Sequence, residues 1–272
     1  QRGPLIDVDQ RMLTVRSIKL VADGALGSRG AWLLEPYSDR AGHNGLPTMP
    51  LSEMQDISHL AYRNGFQIAI HAIGDRANRE VLDIFDALFD GRDRGVWFRV
   101  EHAQHIHPSD IGRFARLGVI PSVQGIHMSS DRPWAIDRLG AARVESGAYM
   151  WRSLIDSGAV LVNGTDVPVE PADPFASFYA LVTRKTLQGT PEGGFEPQQK
   201  ITRGEALQAD TLNPAFGAFE ESFKGRLAPG MVADFVVLDR DIMTIPAAEI
   251  LQTKVLQTVM NGKVVYSRPD GL

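Results

Sequence analysis

The chain has 272 residues, a formal net charge of -5 at pH 7, and 43% hydrophobic and 22% charged residues. This globular composition excludes a disordered or collagen-like chain, and the acidic balance gives no electrostatic footprint for a nucleic-acid partner. Cysteine is absent, which excludes disulfides and zinc-thiolate sites. Any metal would therefore need His, carboxylate or modified Lys ligands.

No apolar run approaches the roughly 20 residues that a membrane span requires. The sequence therefore predicts no membrane partner. The first residues lack a charged start followed by an apolar stretch, which favours a cytoplasmic location over export.

Short apolar runs alternate with helical patterns, and this alternation predicts strand-helix units in a parallel sheet. Five strands are predicted, at 17–22, 66–71, 96–102, 119–123 and 159–163. Helices are predicted from Ser52, which is expected to cap its helix, and at 75–89, 108–117 and 148–156. Gly118 is expected to end the third of these.

The pattern changes after residue 166. Residues 202–219 predict one helix, with a capping box at Thr202 and Glu205. Alternating strands are expected at 233–239, 255–260 and 263–266, the last two joined by Asn261-Gly262, a strong hairpin motif.

The number of strand-helix units limits the fold. A barrel of this kind closes with eight strands, and five units correspond to its second half. The Gly-rich phosphate loop of an open doubly wound sheet is not found. We therefore predict an α/β fold, with residues 1–223 as the C-terminal portion of a (β/α)8 TIM-type barrel. Residues 224–272 form a small β unit, joined through 225–230, that is too small to bury its own face.

Three candidate metal ligands follow the ends of predicted strands, where such barrels build their sites. They are His71, His102 and Asp166. Each has an alternative interpretation alone, since such a His is often a core residue and such an Asp a helix cap. Delivery of all three to one rim favours a metal site.

Lys19 lies inside the first predicted strand. Its alternative role is that of an edge residue whose stem packs while its ammonium reaches water. A charged ammonium would repel a metal, so a ligand role requires carboxylation of the amine by carbon dioxide.

These residues stand in motifs that resemble the amidohydrolase superfamily, in the branch that includes N-substituted formamide deformylases and the YtcJ/AepA-like proteins. The matching motifs are Ile-Lys-Leu-Val-Ala-Asp-Gly around Lys19, Ile-His-Ala-Ile-Gly-Asp at His71, Glu-His-Ala-Gln at His102, Gly-Thr-Asp-Val-Pro-Val at Asp166, and the segment from Lys224 to Asp239. Together they extend over nearly the whole chain.

The resemblance implies a metal-dependent barrel hydrolase that cleaves a C–N bond of a small amide-type substrate other than a peptide. It implies one or two divalent ions, most commonly zinc, bound by Lys19 in carboxylated form, His71, His102 and Asp166, with Asp166 also the catalytic general base. It further implies that residues 224–272 are the C-terminal strands of a composite β-sandwich.

This sequence departs from the family pattern in one respect. The pattern begins with His-x-His on the first barrel strand, and no such pair precedes Lys19. His105 and His107 have the same spacing but follow His102 and precede Pro108, so we interpret them as loop or ligand-supporting residues. We therefore expect the chain to be a fragment whose site needs an N-terminal segment of the same protein.

Substrate contacts are expected from loops after the barrel strands. The candidates are Gln124, His127, Trp134, Arg138 and Arg184. Trp134 has the alternative of packing its loop, and the two arginines that of pairing with surface acids. The loop at 24–50 is interpreted either as a lid or as a connection.

Two functional hypotheses remain besides the hydrolase. The first is a non-catalytic relative that keeps the barrel for binding or regulation. The second is a different α/β protein whose missing strands come from a symmetric partner in a homo-oligomer. Metal content distinguishes the hydrolase from the non-catalytic relative.

Overall fold

The computed structural model describes residues 3–8, 12–89 and 97–269. The chain divides into two compact units, Gln1–Val123 with Pro133–Val160, and Gln124–Arg132 with Leu161–Leu272. The sequence predicts a domain boundary between residues 223 and 224. This boundary differs from the division into two compact units and stays a prediction.

Ten strands are described, here numbered in chain order: β1 Leu5–Asp7, β2 Leu13–Val15, β3 Ser17–Val21, β4 Gln67–Ala72, β5 Arg99–His102, β6 Ile120–Val123, β7 Val162–Asn163, β8 Phe235–Leu238, β9 Val255–Met260 and β10 Lys263–Ser267. The described α-helices are α1 Leu51–Arg63, α2 Asp75–Phe89, α3 Pro108–Leu117, α4 Gly125–Leu139, α5 Ala141–Gly147, α6 Trp151–Asp156, α7 Pro174–Thr183, α8 Arg203–Asp210 and α9 Leu212–Gly217. Short 3-10 helices lie at Pro197–Gln199 and Ala247–Gln252.

A parallel sheet organises the first unit. Strands β3, β4, β5 and β6 pair side by side and in parallel, as the alternation of strands and helices predicts. One face carries apolar side chains such as Ile68, Ile70 and Val100, all fully buried. Successive residues of a strand point to opposite faces, so Lys19 and His71 lie on the other face.

Helices α2 and α3 have the predicted ends. Helix α2 buries Val81, Leu82 and Phe85, the residues whose helical spacing predicts it. Helix α3 ends at Gly118, which has a left-handed φ of 61° that glycine adopts without steric cost. The predicted strand at 96–102 begins at Val96, which lies outside the described residues, and β5 covers its last four residues.

Two predictions about helices are wrong in detail. Helix α1 begins at Leu51 after Pro50 and has no side-chain cap, so Ser52 does not cap it. The helix predicted at 202–219 is two helices, α8 and α9, which meet at Thr211 with φ -130° and ψ -78°. Pro214 lacks an N–H to continue the hydrogen-bond ladder, and the break falls just before it. The capping box of Thr202 and Glu205 is confirmed.

The second unit ends in a three-stranded antiparallel sheet in the order β10, β9, β8. Asn261 and Gly262 form the predicted hairpin turn with φ values of 49° and 74°. Apolar side chains of this sheet stay exposed, including Val236, Val264 and Val265, at 52%, 57% and 55%. The sheet therefore leaves an apolar surface uncovered by the described residues.

No helix in the described part of the chain combines the length and apolar character that crossing a bilayer requires.

Two arginines of the second unit share one buried carboxylate. Arg132 binds Glu196 through Nη2 at 2.6 Å, and Arg184 binds it through Nη2 at 3.1 Å. The Arg184 side chain is fully buried and also donates from Nε to the carbonyl of Phe195. This cluster holds the segment after α7 in place.

The Glu196→Gln substitution tests the strength of that cluster. It removes the negative charge that two buried guanidinium groups share, and breaking a buried ion pair from one side costs about 3–5 kcal/mol. We expect the midpoint of chemical denaturation to fall markedly. The control is Glu192→Gln, since Glu192 is exposed in the same segment. An unchanged midpoint for Glu196→Gln would contradict the account.

A second acidic residue of this unit, Asp210, makes stability depend on pH. Burial raises the pKa of Asp210 to about 6, while a hydrogen bond from Asn163 opposes that shift. The folded state therefore favours the protonated carboxyl. Its stabilising contribution is complete below about pH 4, the unfolded pKa, and is lost as pH rises through about 6.

The Asp210→Asn substitution should abolish the loss of stability that occurs as pH rises. Asparagine keeps an oxygen for the Asn163 amide, which donates to Asp210 Oδ1 at 2.7 Å, and carries no charge to desolvate. We expect the variant to be more stable than the wild type above pH 7 by about 1–3 kcal/mol, measured by thermal unfolding across pH. Asp56→Asn, at an exposed position of α1, is the control. Equal stabilities at high pH would refute the prediction.

Candidate functional site

Two of the predicted ligands, His71 and His102, lie beside each other. They stand near the carboxyl ends of the adjacent parallel strands β4 and β5, and their ring centroids are 4.4 Å apart. The His71 side chain is 16% exposed and His102 is 8% exposed. The structure thus places two imidazoles together at one edge of the sheet.

This contact depends on the backbone at the end of β5. The register pairs His71 with Glu101, and His102 with Ala72, so regular alternation would point the two histidines to opposite faces. His102 and the following Ala103 instead have φ values of 74° and 42°. Left-handed backbone at non-glycine residues costs about 1–3 kcal/mol and is concentrated at functional sites.

Lys19 lies on the same face of the sheet as His71. Its lateral neighbour in β4 is Ala69, two residues before His71. The Lys19 side chain is exposed, so its amine is accessible to solvent and carbon dioxide. A ligand role for Lys19 is compatible with this position and stays a prediction.

Two further charged residues share this face, and the sequence analysis did not identify them. Arg99 is the lateral neighbour of Ala69, and Glu101 that of His71. Arg99 donates from Nε to Glu101 Oε1 at 2.8 Å. Arg99 and Glu101 alternate with Val100 in the sequence Arg-Val-Glu-His. This alternation could have indicated that both charged side chains lie on the face of the site.

Asp23 is fully buried and lies next to His71. Its Oδ1 lies 3.3 Å from His71 Nε2 and accepts the N–H of Ile73 at 3.0 Å. Its Oδ2 accepts the N–H groups of Trp32 and Gly74, each at 2.8 Å. Asp23 therefore joins the end of β4 to the loop that follows β3.

The second unit positions the loop that carries Asp166. Asn163, at the end of β7, accepts the N–H of Gly125 at 2.9 Å and the hydroxyl of Ser177 at 3.0 Å. Asp166 is exposed and has a left-handed φ of 56°. Its backbone carbonyl accepts the N–H of Val169 at 2.9 Å, which closes the loop on itself.

His127, a predicted substrate contact, is electrostatically coupled to this loop. Burial lowers the pKa of the His127 imidazole below its ordinary value, and the carboxylates of Asp166 and Glu170 partly oppose that shift. The backbone carbonyl of Gln124 accepts the N–H of His127 at 3.2 Å. The structure therefore associates Asp166 with one predicted substrate residue, His127.

The remaining predicted substrate residues already have partners. The Arg138 guanidinium lies 5.8 Å from the Trp134 ring centre, binds the carboxylate of Asp39, and donates to the carbonyl of Gly27 at 3.2 Å. These contacts anchor the loop at 24–50. Arg184 is engaged with Glu196. Their substrate roles stay predictions, and in the structure the arginines hold neighbouring segments.

His105 and His107 lie in the segment between β5 and α3, and a ligand-supporting role for them stays a prediction. His107 caps α3, its Nδ1 accepting the N–H of Ser109 at 3.3 Å. His105 is buried with its Nε2 3.7 Å from Asp75 Oδ2, and this burial lowers its pKa despite the nearby carboxylate. Both line a cavity of about 230 Å³ with Arg143 and Ser146.

The donor set fits a metal in part. Within residues 3–8, 12–89 and 97–269, no group of three or more His, Asp and Glu side chains is arranged to hold a metal ion. The His71 and His102 imidazoles lie in ring contact and are two candidate donors. A complete metal site would need further ligands.

Known proteins that resemble this chain include two relatives and one solved structure. YtcJ of Bacillus subtilis (strain 168), named as an amidohydrolase, is 33% identical over 252 residues, 93% of this chain and 47% of YtcJ. The N-substituted formamide deformylase of Arthrobacter pascens is 29% identical over 227 residues, 83% and 41% of the two chains. A metal-dependent hydrolase structure from Pyrococcus horikoshii OT3 superposes with a TM-score of 0.78 at 33% identity, covering 90% of this chain and 48% of that one.

The chain spans less than half the length of each of these three proteins. A sequence model described as the amidohydrolase family matches residues 5–266, which is nearly the whole chain. The resemblance predicted from the motifs at Lys19, His71, His102 and Asp166 is confirmed, and the chain belongs to the amidohydrolase family.

Proposed function

We propose that this protein is a metal-dependent hydrolase that cleaves a C–N bond, other than a peptide bond, in a small amide-type substrate. The observation that carries the proposal is the pairing of His71 and His102 across two parallel strands at 4.4 Å. Family membership supports hydrolysis, and the names of two similar proteins, a metal-dependent hydrolase and a formamide deformylase, support the metal and the bond.

In this proposal His71 and His102 hold a divalent ion, proposed to be zinc, together with Asp166 and carboxylated Lys19. A bound divalent ion supplies Lewis acidity toward a substrate carbonyl and activation of a water molecule. The imidazoles hold their position because the backbone turns at His102 and the Asp23 carboxylate lies beneath His71. The exposed amine of Lys19 can react with carbon dioxide.

Asp166 is proposed as the general base. Its carboxylate would accept a proton from the attacking water and return it to the leaving nitrogen, a role that requires a base close to both. Gln124 and His127 are proposed to orient the substrate from the same unit. Because burial lowers its pKa, a neutral His127 can donate a hydrogen bond to a carbonyl without adding a positive charge.

We also propose that the fold is the C-terminal portion of a (β/α)8 barrel with part of a composite β-sandwich. Further strands, including the His-x-His strand, would come from an N-terminal segment of the same protein. Two observations support this arrangement. No strand in the described part of the chain pairs with the outer edge of β3, and the sheet of β8, β9 and β10 leaves apolar side chains exposed.

A non-catalytic binding or regulatory role is the second candidate. The observation that favours it is the lack of a third converging His, Asp or Glu ligand in the described residues. Without a third or fourth protein ligand, a divalent ion would be bound weakly.

Metal analysis with one substitution tests the proposal. The full-length protein, with its N-terminal segment and purified without chelator, should contain a divalent metal by elemental analysis and should hydrolyse N-substituted formamides or related amides. Asp166→Asn should lower turnover by at least about 100-fold, because the general base is lost, and should keep most of the metal.

The control is Asp56→Asn, at an exposed position of α1, which should leave turnover unchanged. Metal-free protein would refute the hydrolase and favour the binding role. Full activity of the Asp166→Asn variant would refute Asp166 as the base.

A further inference from the structure

Asp23 is a buried carboxylate with an unusually complete set of contacts. It is 0% exposed, and three backbone N–H groups, from Trp32, Ile73 and Gly74, donate to its two oxygens. Desolvating a carboxylate is costly unless hydrogen bonds replace its water. The three N–H groups provide this replacement and fix the orientation of the carboxylate beneath His71.

The backbone at Gly74 lies close to the backbone at Trp32, and this close approach allows both amides to reach Asp23. A Cβ built on Gly74 would lie 2.1 Å from the Trp32 carbonyl oxygen, so this position tolerates only glycine without a shift of backbone. The Trp32 and Gly74 amides thereby reach the same oxygen of Asp23. The carboxylate is held by backbone from two segments rather than by mobile side chains.

A further polar neighbour of Asp23 is His71. Oδ1 lies 3.3 Å from His71 Nε2, and Nε2 makes no fully formed hydrogen bond with the described residues. The separation is within hydrogen-bond reach, and the ring is not oriented to form the bond. A carboxylate can only accept, so the contact favours the proton on Nε2 and leaves the lone pair on Nδ1.

We propose that Asp23 is a positioning residue that fixes the tautomer and ring orientation of His71 for metal binding. The metal-binding part of this inference rests on the proposed function. A carboxylate that accepts the second N–H of a ligating histidine orients the ring and raises its basicity, and its removal typically costs about 10–100-fold in metal affinity. Asp23 would therefore act through His71 without contacting the metal.

The chain offers a matched comparison. Asp75 is also buried, accepts the N–H groups of Leu34 and Arg76 on Oδ1, and has Oδ2 3.7 Å from Nε2 of His105. His105 is not a proposed ligand. Asp75→Asn therefore removes a similar buried carboxylate beside a histidine and controls for the structural consequences of such a loss.

The first experiment uses the metal-free full chain with 15N-labelled histidine. Long-range 15N–1H NMR at about pH 8, where an ordinary imidazole is neutral, reports which ring nitrogen carries the proton. His71→Gln identifies the His71 signals by their loss. We expect the proton on Nε2 in the wild type and a mixture of tautomers in Asp23→Asn. A proton on Nδ1 in the wild type would overturn the inference.

The second experiment is a zinc titration of the full chain by competition with a chromophoric chelator. Asp23→Asn should weaken zinc binding by about 10–100-fold, whereas Asp75→Asn should bind zinc as the wild type does. Equal weakening by both variants, or none in Asp23→Asn, would overturn the inference, since both results indicate a purely structural carboxylate.

The two proposals can fail separately. If the wild type binds no zinc, the proposed function fails, while the NMR result still tests whether Asp23 sets the His71 tautomer. If Asp23→Asn does not fold, the position of the proton on wild-type His71 still tests the inference, and a proton on Nδ1 overturns it.

Discussion

The candidate site depends on a reversal of the backbone at the end of β5. Parallel pairing places β4 and β5 side by side, but alternation alone would separate His71 from His102. The left-handed φ values of His102 and Ala103 turn the second imidazole back toward the first. Strained backbone of this kind persists only where the surrounding structure enforces it, and here neighbouring contacts do so.

Those contacts lie directly after the reversal. The N–H of His105 donates to the carbonyl of Ile73, and the N–H of Tyr149 donates to the carbonyl of Gln104. Asp23 holds Ile73 and Gly74 from below. The loop after β4 and the loop after β5 are thus fixed to each other, and a rigid pair of imidazoles is the result. Rigid placement matters because metal ligands must be held close to their final geometry.

In the second unit, hydrogen bonds likewise hold the loop that carries Asp166. Asn163 connects β7 to the start of α4, to α7 and to Asp210 through hydrogen bonds. The loop after β7 can then expose the carboxylate of Asp166, whose backbone has a left-handed φ. Gly125 is required at the start of α4, since a Cβ there would lie 2.6 Å from the carbonyl oxygen of Ser177.

The sequence predicted the elements whose patterns are local. Helix α2 follows from its helical spacing, the end of α3 from Gly118, and the final hairpin from Asn261-Gly262. Helices α4 and α7 were not predicted, because α4 contains Pro133 and α7 is buried on nearly all sides, so neither has a clear amphipathic pattern.

The site was predictable only in part, for a related reason. The identities of His71 and His102 follow from their positions at strand ends, which a sequence can reveal. The contacts of Asp23 could not be predicted because they join residues far apart in the chain. The Arg99–Glu101 pair could not be predicted because a sequence does not reveal which face of the strand lines the site. The φ values that bring the two histidines together are likewise set by tertiary contacts, which no local pattern encodes.

We propose that His71 and His102 bind one metal ion. X-ray absorption spectroscopy of the zinc-loaded protein measures this most directly, since imidazole ligands give a characteristic outer-shell scattering. The account predicts at least two imidazoles on zinc, with Zn–N distances of about 2.0–2.1 Å, and loss of one imidazole in His71→Gln and in His102→Gln. A zinc spectrum without imidazole scattering, or one that neither substitution changes, would contradict it.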